Sequence, residues 1–119
     1  MTDETPRSVA AGIGDIDRMI HEPARLAILS LLFVVDSADF LFIMRQTGLT
    51  QGNLSSHIGK LEEAGYVEVE KGFRGKRPRT TLSMTQSGRF AFSEYRGRIE
   101  RLLANLPADG SVASNAHDK

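Results

Sequence analysis

Residues 48–84 read GLTQGNLSSHIGKLEEAGYVEVEKGFRGKRPRTTLSM, and this stretch decides the fold. Gly48 stops one helical segment, and Thr50 offers a side-chain cap for another almost at once. Leu54, Ile58 and Leu61 then fall at i, i+4 and i+7, one apolar face of a helix expected over 51–64. Gly65 supplies a left-handed stop. The period next changes to two. Tyr66-Val67-Glu68-Val69-Glu70 alternates apolar and polar, as a strand with one buried face should. Residues 72–78 hold two glycines and a proline and read as a loop, and 79–84 read as the returning strand.

Working outward, Pro23 suits the first turn of a helix, where its missing N–H costs nothing. Leu26, Leu29 and Leu32 continue that helix over 22–35. A short helical turn is expected at 15–20. Asp36-Ser37 is a break with capping chemistry, and a second helix is expected over 38–47. Thr85 caps a last helix over 86–105, and Pro107 ends it. Two short helices around a turn at Gly48, followed by a hairpin, predict a winged helix-turn-helix: mainly α with a two-stranded β-hairpin wing. The organisation expected is a flexible arm over 1–14, one domain over 15–106 and a disordered tail over 107–119.

The chain has 119 residues, enough for one ordinary domain and too few for two. It contains no cysteine, which excludes disulfides and thiolate metal sites and fits a reducing cytoplasm. No export signal opens it, and no apolar run approaches the length of a membrane span, so no membrane partner is expected. Formal net charge is zero, but the distribution is uneven. Lys71, Arg74, Lys76, Arg77 and Arg79 crowd the hairpin with no acid among them.

That distribution points to double-stranded DNA. In a helix-turn-helix the second helix enters the major groove and reads base edges with its N-terminal half. Gln51, Asn53, Ser55, Ser56 and Lys60 lie off the apolar stripe of that helix, and their amide, hydroxyl and ammonium groups suit bases or phosphates. No acid precedes Glu62 on that helix to repel phosphate. Arg74, Lys76, Arg77 and Arg79 form a wing able to follow the backbone or enter the minor groove. The alternative is a winged-helix module that binds protein and does not read DNA, although such a module has no need of so many unopposed cations.

Other chemistries fit poorly. Ser55, Ser56 and His57 are too close in sequence to face one another on a helix, so they make no nucleophile–base pair. Gly75-Lys76 lacks the first glycine and the Ser or Thr of a phosphate loop. Residues 72–75 match the GxxG loop of RNA-binding KH domains, but that loop joins helices, whereas this one joins strands. Neither an enzyme nor a cofactor is expected.

Two apolar features ask for a partner. Phe40-Leu41-Phe42-Ile43-Met44 is apolar all round, more than one short surface helix buries. Leu41 and Phe42 are therefore assigned to a subunit contact, to the N-terminal arm or to a small-molecule effector of unknown identity, with packing of all five residues into the core as the alternative. Phe92, Ile99 and Leu106 recur every seven residues with Tyr95 and Leu102 between them, the pattern of a helix lying along another helix. Those five residues are expected to form a homodimer seam.

Leu61-Glu62-Glu63-Ala64-Gly65-Tyr66-Val67, Arg77-Pro78-Arg79-Thr80-Thr81 and Thr85-Gln86-Ser87-Gly88-Arg89 resemble the winged-helix transcription regulators of the MarR and ArsR type. The resemblance covers about residues 16–103. It implies a prokaryotic dimeric regulator, probing DNA with residues 51–60 and with a wing at 74–79. Metal-sensing members use cysteines or clustered histidines. This chain has no cysteine, and its histidines, His21, His57 and His117, are scattered, so metal sensing is not expected.

Overall fold

A computed structural model describes residues 16–111. The expected arm over 1–14 and most of the expected tail lie outside them. The short helical turn expected at 15–20 is seen, over the described residues, as a single turn closed by the His21 amide donating to the Asp17 carbonyl at 2.8 Å, with the Met19 amide donating to the Asp17 carboxylate at 2.9 Å.

Among the described residues, four helices and three strands follow. Helix α1, Pro23–Val34, starts with the Glu22 carboxylate accepting from the Arg25 amide. Strand β1 is Ala38–Asp39, and helix α2 is Phe40–Thr47. Helix α3, Gln51–Glu63, is capped by Thr50, whose hydroxyl accepts from the Asn53 amide at 3.2 Å. Strands β2, Val67–Arg74, and β3, Arg77–Met84, form the hairpin, and helix α4 is Gln86–Ala104. The sheet is antiparallel in the order β1-β3-β2.

Two expectations need correction. Residues 38–39 are a strand rather than the start of the second helix; Ala38 pairs with Leu82 and Asp39 with Thr81. The free edge of β3 claims this backbone, so the cap moves from Asp36-Ser37 to Asp39, whose carboxylate accepts from the Phe42 amide at 2.7 Å. A two-residue strand is too short to leave a period in the sequence. The hairpin loop, secondly, is not residues 72–78. The ladder runs without interruption from Val67↔Met84 to Arg74↔Arg77, leaving only Gly75-Lys76 as the turn. Gly75 has φ 65°, and among the described residues no non-glycine has positive φ, so this is the II′ pattern, whose twist matches that of the strands. The pair flanking a two-residue turn is hydrogen-bonded, so Phe73↔Pro78 falls at a non-bonded position of the ladder. Pro78 can therefore sit in the strand without leaving an amide partner unmet.

The core over Asp17–Tyr95 joins Ile20 to Ile28, Leu29 and Leu32 of α1, Ile43 of α2, Leu54 and Leu61 of α3, and Leu82 of β3, all fully buried. Each contributes roughly 1.5–3 kcal/mol by leaving water. At the end of α3, Gly65 (φ 83°) donates to the Glu62 carbonyl at 3.0 Å and Tyr66 to the Leu61 carbonyl at 2.9 Å, a Schellman closure. This turns the chain straight into the wing. Among the described residues, Ile16 and 96–111 group as a second compact unit, with α4 contributing to both.

Candidate nucleic-acid interface

Leu54, Ile58 and Leu61 hold α3 against the core, so the rest of its circumference is available. Gln51, Asn53, Ser55, Ser56 and Lys60 are all exposed. The helical turn divides them. Gln51 and Ser55 lie on the flank toward the wing, where they line a shallow groove of about 340 Å³ with Gly59, Glu62, Val69, Lys71 and Thr80. Asn53 and Lys60 lie toward the opposite flank. Gly52, Ser56 and Gly59 occupy the outward face between them, and nothing stands within 4 Å of the Cβ either glycine lacks. Neither glycine was expected to matter, although each costs helix stability of up to about 1 kcal/mol. Their signal was their place opposite the apolar stripe.

His57 is braced rather than free. Its Nδ1 takes a 3.3 Å contact from the Arg25 guanidinium, which has no acceptor of its own, and lies 3.9 Å from Glu22. Arg25 also donates through Nε to the Met19 carbonyl at 2.7 Å. One guanidinium thus ties the entry turn, the start of α1 and the flank of α3 together. The amide of Arg25 holds the Glu22 carboxylate below the usual range, with nearby His57 adding to the effect. On the same side the Tyr66 hydroxyl donates to Asp17 at 2.5 Å; burial first, and that bond second, push it up to about 12, so it remains a donor.

In the wing, Lys71, Arg74, Lys76, Arg77 and Arg79 are exposed. Arg79 is partly engaged: its Nε stands 3.9 Å from Asp39, linking the wing to the cap of α2. Arg74, Arg77 and Arg79 line a cleft of about 410 Å³ with Asp39, Phe40 and Leu41. Leu41 therefore lies beside the wing and is 57% exposed, whereas Phe42 is half-buried and does not line that cleft.

The five residues expected at the seam fall into two groups. Phe92 and Tyr95 are 8% and 7% exposed and pack inside their own unit. The Phe92 ring lies 5.0 Å from that of Phe33, and Tyr95 shares a 2.8 Å hydrogen bond with His21. Ile99 and Leu102 are half-buried, and Leu106 is exposed. Among the described residues no cluster of three or more His, Asp or Glu is placed to hold a metal ion, and no helix is long and apolar enough to cross a membrane.

Known proteins are similar to this chain in sequence and fold. A protein of Methanocaldococcus jannaschii, itself uncharacterized, is 35% identical over 89 residues, covering 75% of this chain and 97% of that protein. A transcriptional regulator homologue from Pyrococcus horikoshii matches the structure with a TM-score of 0.72 at 27% identity, over 86% of this chain and 96% of that one. A regulator of the MarR family from Enterococcus faecalis shares the fold, with a TM-score of 0.64 at 20% identity, over 87% and 90% of the two chains. The winged helix DNA-binding domain family matches residues 24–103, which take in nearly all of α1, the helix-turn-helix, the whole wing and almost all of α4. The chain belongs to that family of DNA-binding domains, which are not enzymes.

Proposed function

We propose that this protein is a sequence-specific transcription regulator, a cytoplasmic homodimer that binds an inverted-repeat operator and represses by blocking access to the promoter. One observation carries the reading: the groove beside α3 puts Gln51 and Ser55, along with Glu62, in one wall and Lys71, the first residue of the acid-free stretch 71–79 of the wing, in the other. A duplex against α3 meets the wing on the same side. Gln51, Asn53, Ser55, Ser56 and Lys60 then read the major groove, and Arg74, Lys76 and Arg77 hold the backbone beside it. Arg79 shares its charge with Asp39 and contributes less.

The dimer seam in this proposal is the later part of the heptad stripe, Ile99, Leu102 and Leu106. Phe92 and Tyr95, being buried, are left out of it. A two-fold pair sets recognition helices in successive major grooves, about 34 Å or 10 base pairs apart.

Selection of bound fragments from genomic DNA tests the reading. The expected result is an inverted repeat with that half-site spacing. Alanine at Gln51, Asn53, Ser55 or Ser56 should then cost roughly 1–3 kcal/mol on the selected site and barely alter random-DNA binding. A pool with no enriched sequence, from protein that heparin does not retain, favours the protein-interaction alternative. The cleft beside Leu41 supports a small-molecule effector, because an anionic molecule there would occupy Arg74 and Arg77 and compete with phosphate. Saturable ligand binding that is lost in Leu41→Glu and weakens DNA binding in the wild type is the expected sign. Ligand binding that leaves DNA affinity unchanged would end that part of the reading.

A further inference from the structure

Phe73 is 74% exposed, on a strand whose same-face neighbours run into the core. Alternation puts Val67, Val69, Lys71 and Phe73 on one face of β2, opposite Met84, Leu82, Thr80 and Pro78 of β3. Val67, Leu82 and Met84 are buried at the root of this face. Lys71 and Thr80, one pair further out, line the groove shared with Gln51 and Ser55. The next pair is Phe73↔Pro78, beyond the groove, one pair short of the two-residue turn. The face that begins as core thus ends as a bare apolar tip on the side where α3 presents its polar flank. Lys71, Arg74, Lys76, Arg77 and Arg79 surround that tip, with no acid from 71 to 79.

An exposed phenylalanine held among cations that, Arg79 beside Asp39 apart, stand in a stretch without acids contributes nothing to the core. The cations select a partner with a phosphate backbone, and the main apolar surfaces such a duplex offers are the faces and edges of its bases. We propose that Phe73, backed by the rigid ring of Pro78, is a wedge that the wing presses into a base step from the minor groove, partly unstacking the step and bending the duplex. Side chains of this kind kink DNA by roughly 20–90°. The cost of unstacking is lowest at pyrimidine–purine steps, so the wedge adds a sequence preference at a position that no hydrogen bond reads. This inference rests on the DNA-binding reading and goes beyond it.

The test uses the full chain and a duplex selected by the wild type, with 2-aminopurine beside each candidate step and a donor–acceptor dye pair on the ends. Wild-type protein is expected to raise 2-aminopurine fluorescence at one pyrimidine–purine step in each half-site and to shorten the end-to-end distance. Phe73→Ala should bind more weakly and lose both signals. It should keep the wild-type salt slope, because it removes no charge. Phe73→Leu, still an apolar wedge, should retain part of each. A mismatch at the step, which removes part of the unstacking cost in advance, should strengthen wild-type binding by about tenfold and Phe73→Ala binding much less. Tight wild-type binding with a straight duplex and silent 2-aminopurine overturns the wedge and leaves DNA binding intact, as does a Phe73→Ala protein that bends DNA like the wild type. Absence of DNA binding by the wild type overturns both.

Discussion

Gly88 has no room for a side chain. A Cβ there would collide with the Tyr66 carbonyl oxygen, which also accepts the Thr85 amide at 3.0 Å. The Thr85 hydroxyl in turn accepts from the Gly88 amide at 2.9 Å and donates to the Gly65 carbonyl at 2.7 Å. These few atoms join the end of α3 to the start of α4. Gly88→Ala forces the strand entry and the helix start apart, and should cost about 2 kcal/mol or more, read as a lower denaturant midpoint. The cap was legible because Thr85 precedes an apolar period. The close approach behind Gly88 was not, since it depends on a carbonyl more than twenty residues away in the chain. A second residue-scale prediction concerns acid. The Glu22 carboxyl is held below its ordinary value by the Arg25 amide, so it is deprotonated more readily in the folded state than in the unfolded one. Its contribution is present above the unfolded value and lost as pH falls through the folded one. Glu22→Gln should therefore narrow the stability gap between about pH 5 and pH 3, measured by chemical denaturation; an unchanged gap would show that the cap is not coupled to charge.

Among the elements, α3 was legible almost to the residue, because its apolar stripe, its cap at Thr50 and its stop at Gly65 agree with one another. The wing was legible in kind but not in extent. Gly72, Gly75 and Pro78 look like loop residues, yet only Gly75 adopts a turn conformation. Gly72 pairs with Arg79 within the ladder, and Pro78 is tolerated at a non-bonded position. The consequence is a continuous two-stranded ladder where a loop was expected, so pairing sets the backbone positions from which the cations project. β1 was invisible because two residues carry no period. The wing prediction follows from that placement. Replacing Arg74, Lys76, Arg77 and Arg79 together by alanine should weaken binding to every sequence. It should also reduce the salt slope by about one for each phosphate the wing no longer neutralises. Arg79→Ala alone should change the slope least, because Asp39 already shares its charge. A quadruple variant with the wild-type slope would take the wing out of the interface.

At the scale of the whole molecule, the sequence periods identified which surfaces are apolar but not which of them face inward. Phe92 and Tyr95 satisfy a heptad and also fill their own unit, against Phe33 and His21. Only neighbours distant in sequence decide between those fates. Val34 and Phe90, 80% and 70% exposed, do not stand out in the sequence because each belongs to a helix whose other apolar residues explain it. If Ile99 and Leu102 lie at a subunit seam, Ile99→Glu with Leu102→Glu should sediment as a folded monomer at micromolar concentration. That monomer should bind a full inverted repeat no better than a single half-site. A variant that still sediments as a dimer would place the seam elsewhere.

If α3 and the wing together read a particular duplex, equilibrium titration of the wild-type chain against a genome-selected duplex and a scrambled duplex of the same composition, at physiological salt, should find the selected duplex bound at least about 10³-fold more tightly; equal affinity for the two, or no binding to either, would mean that they do not.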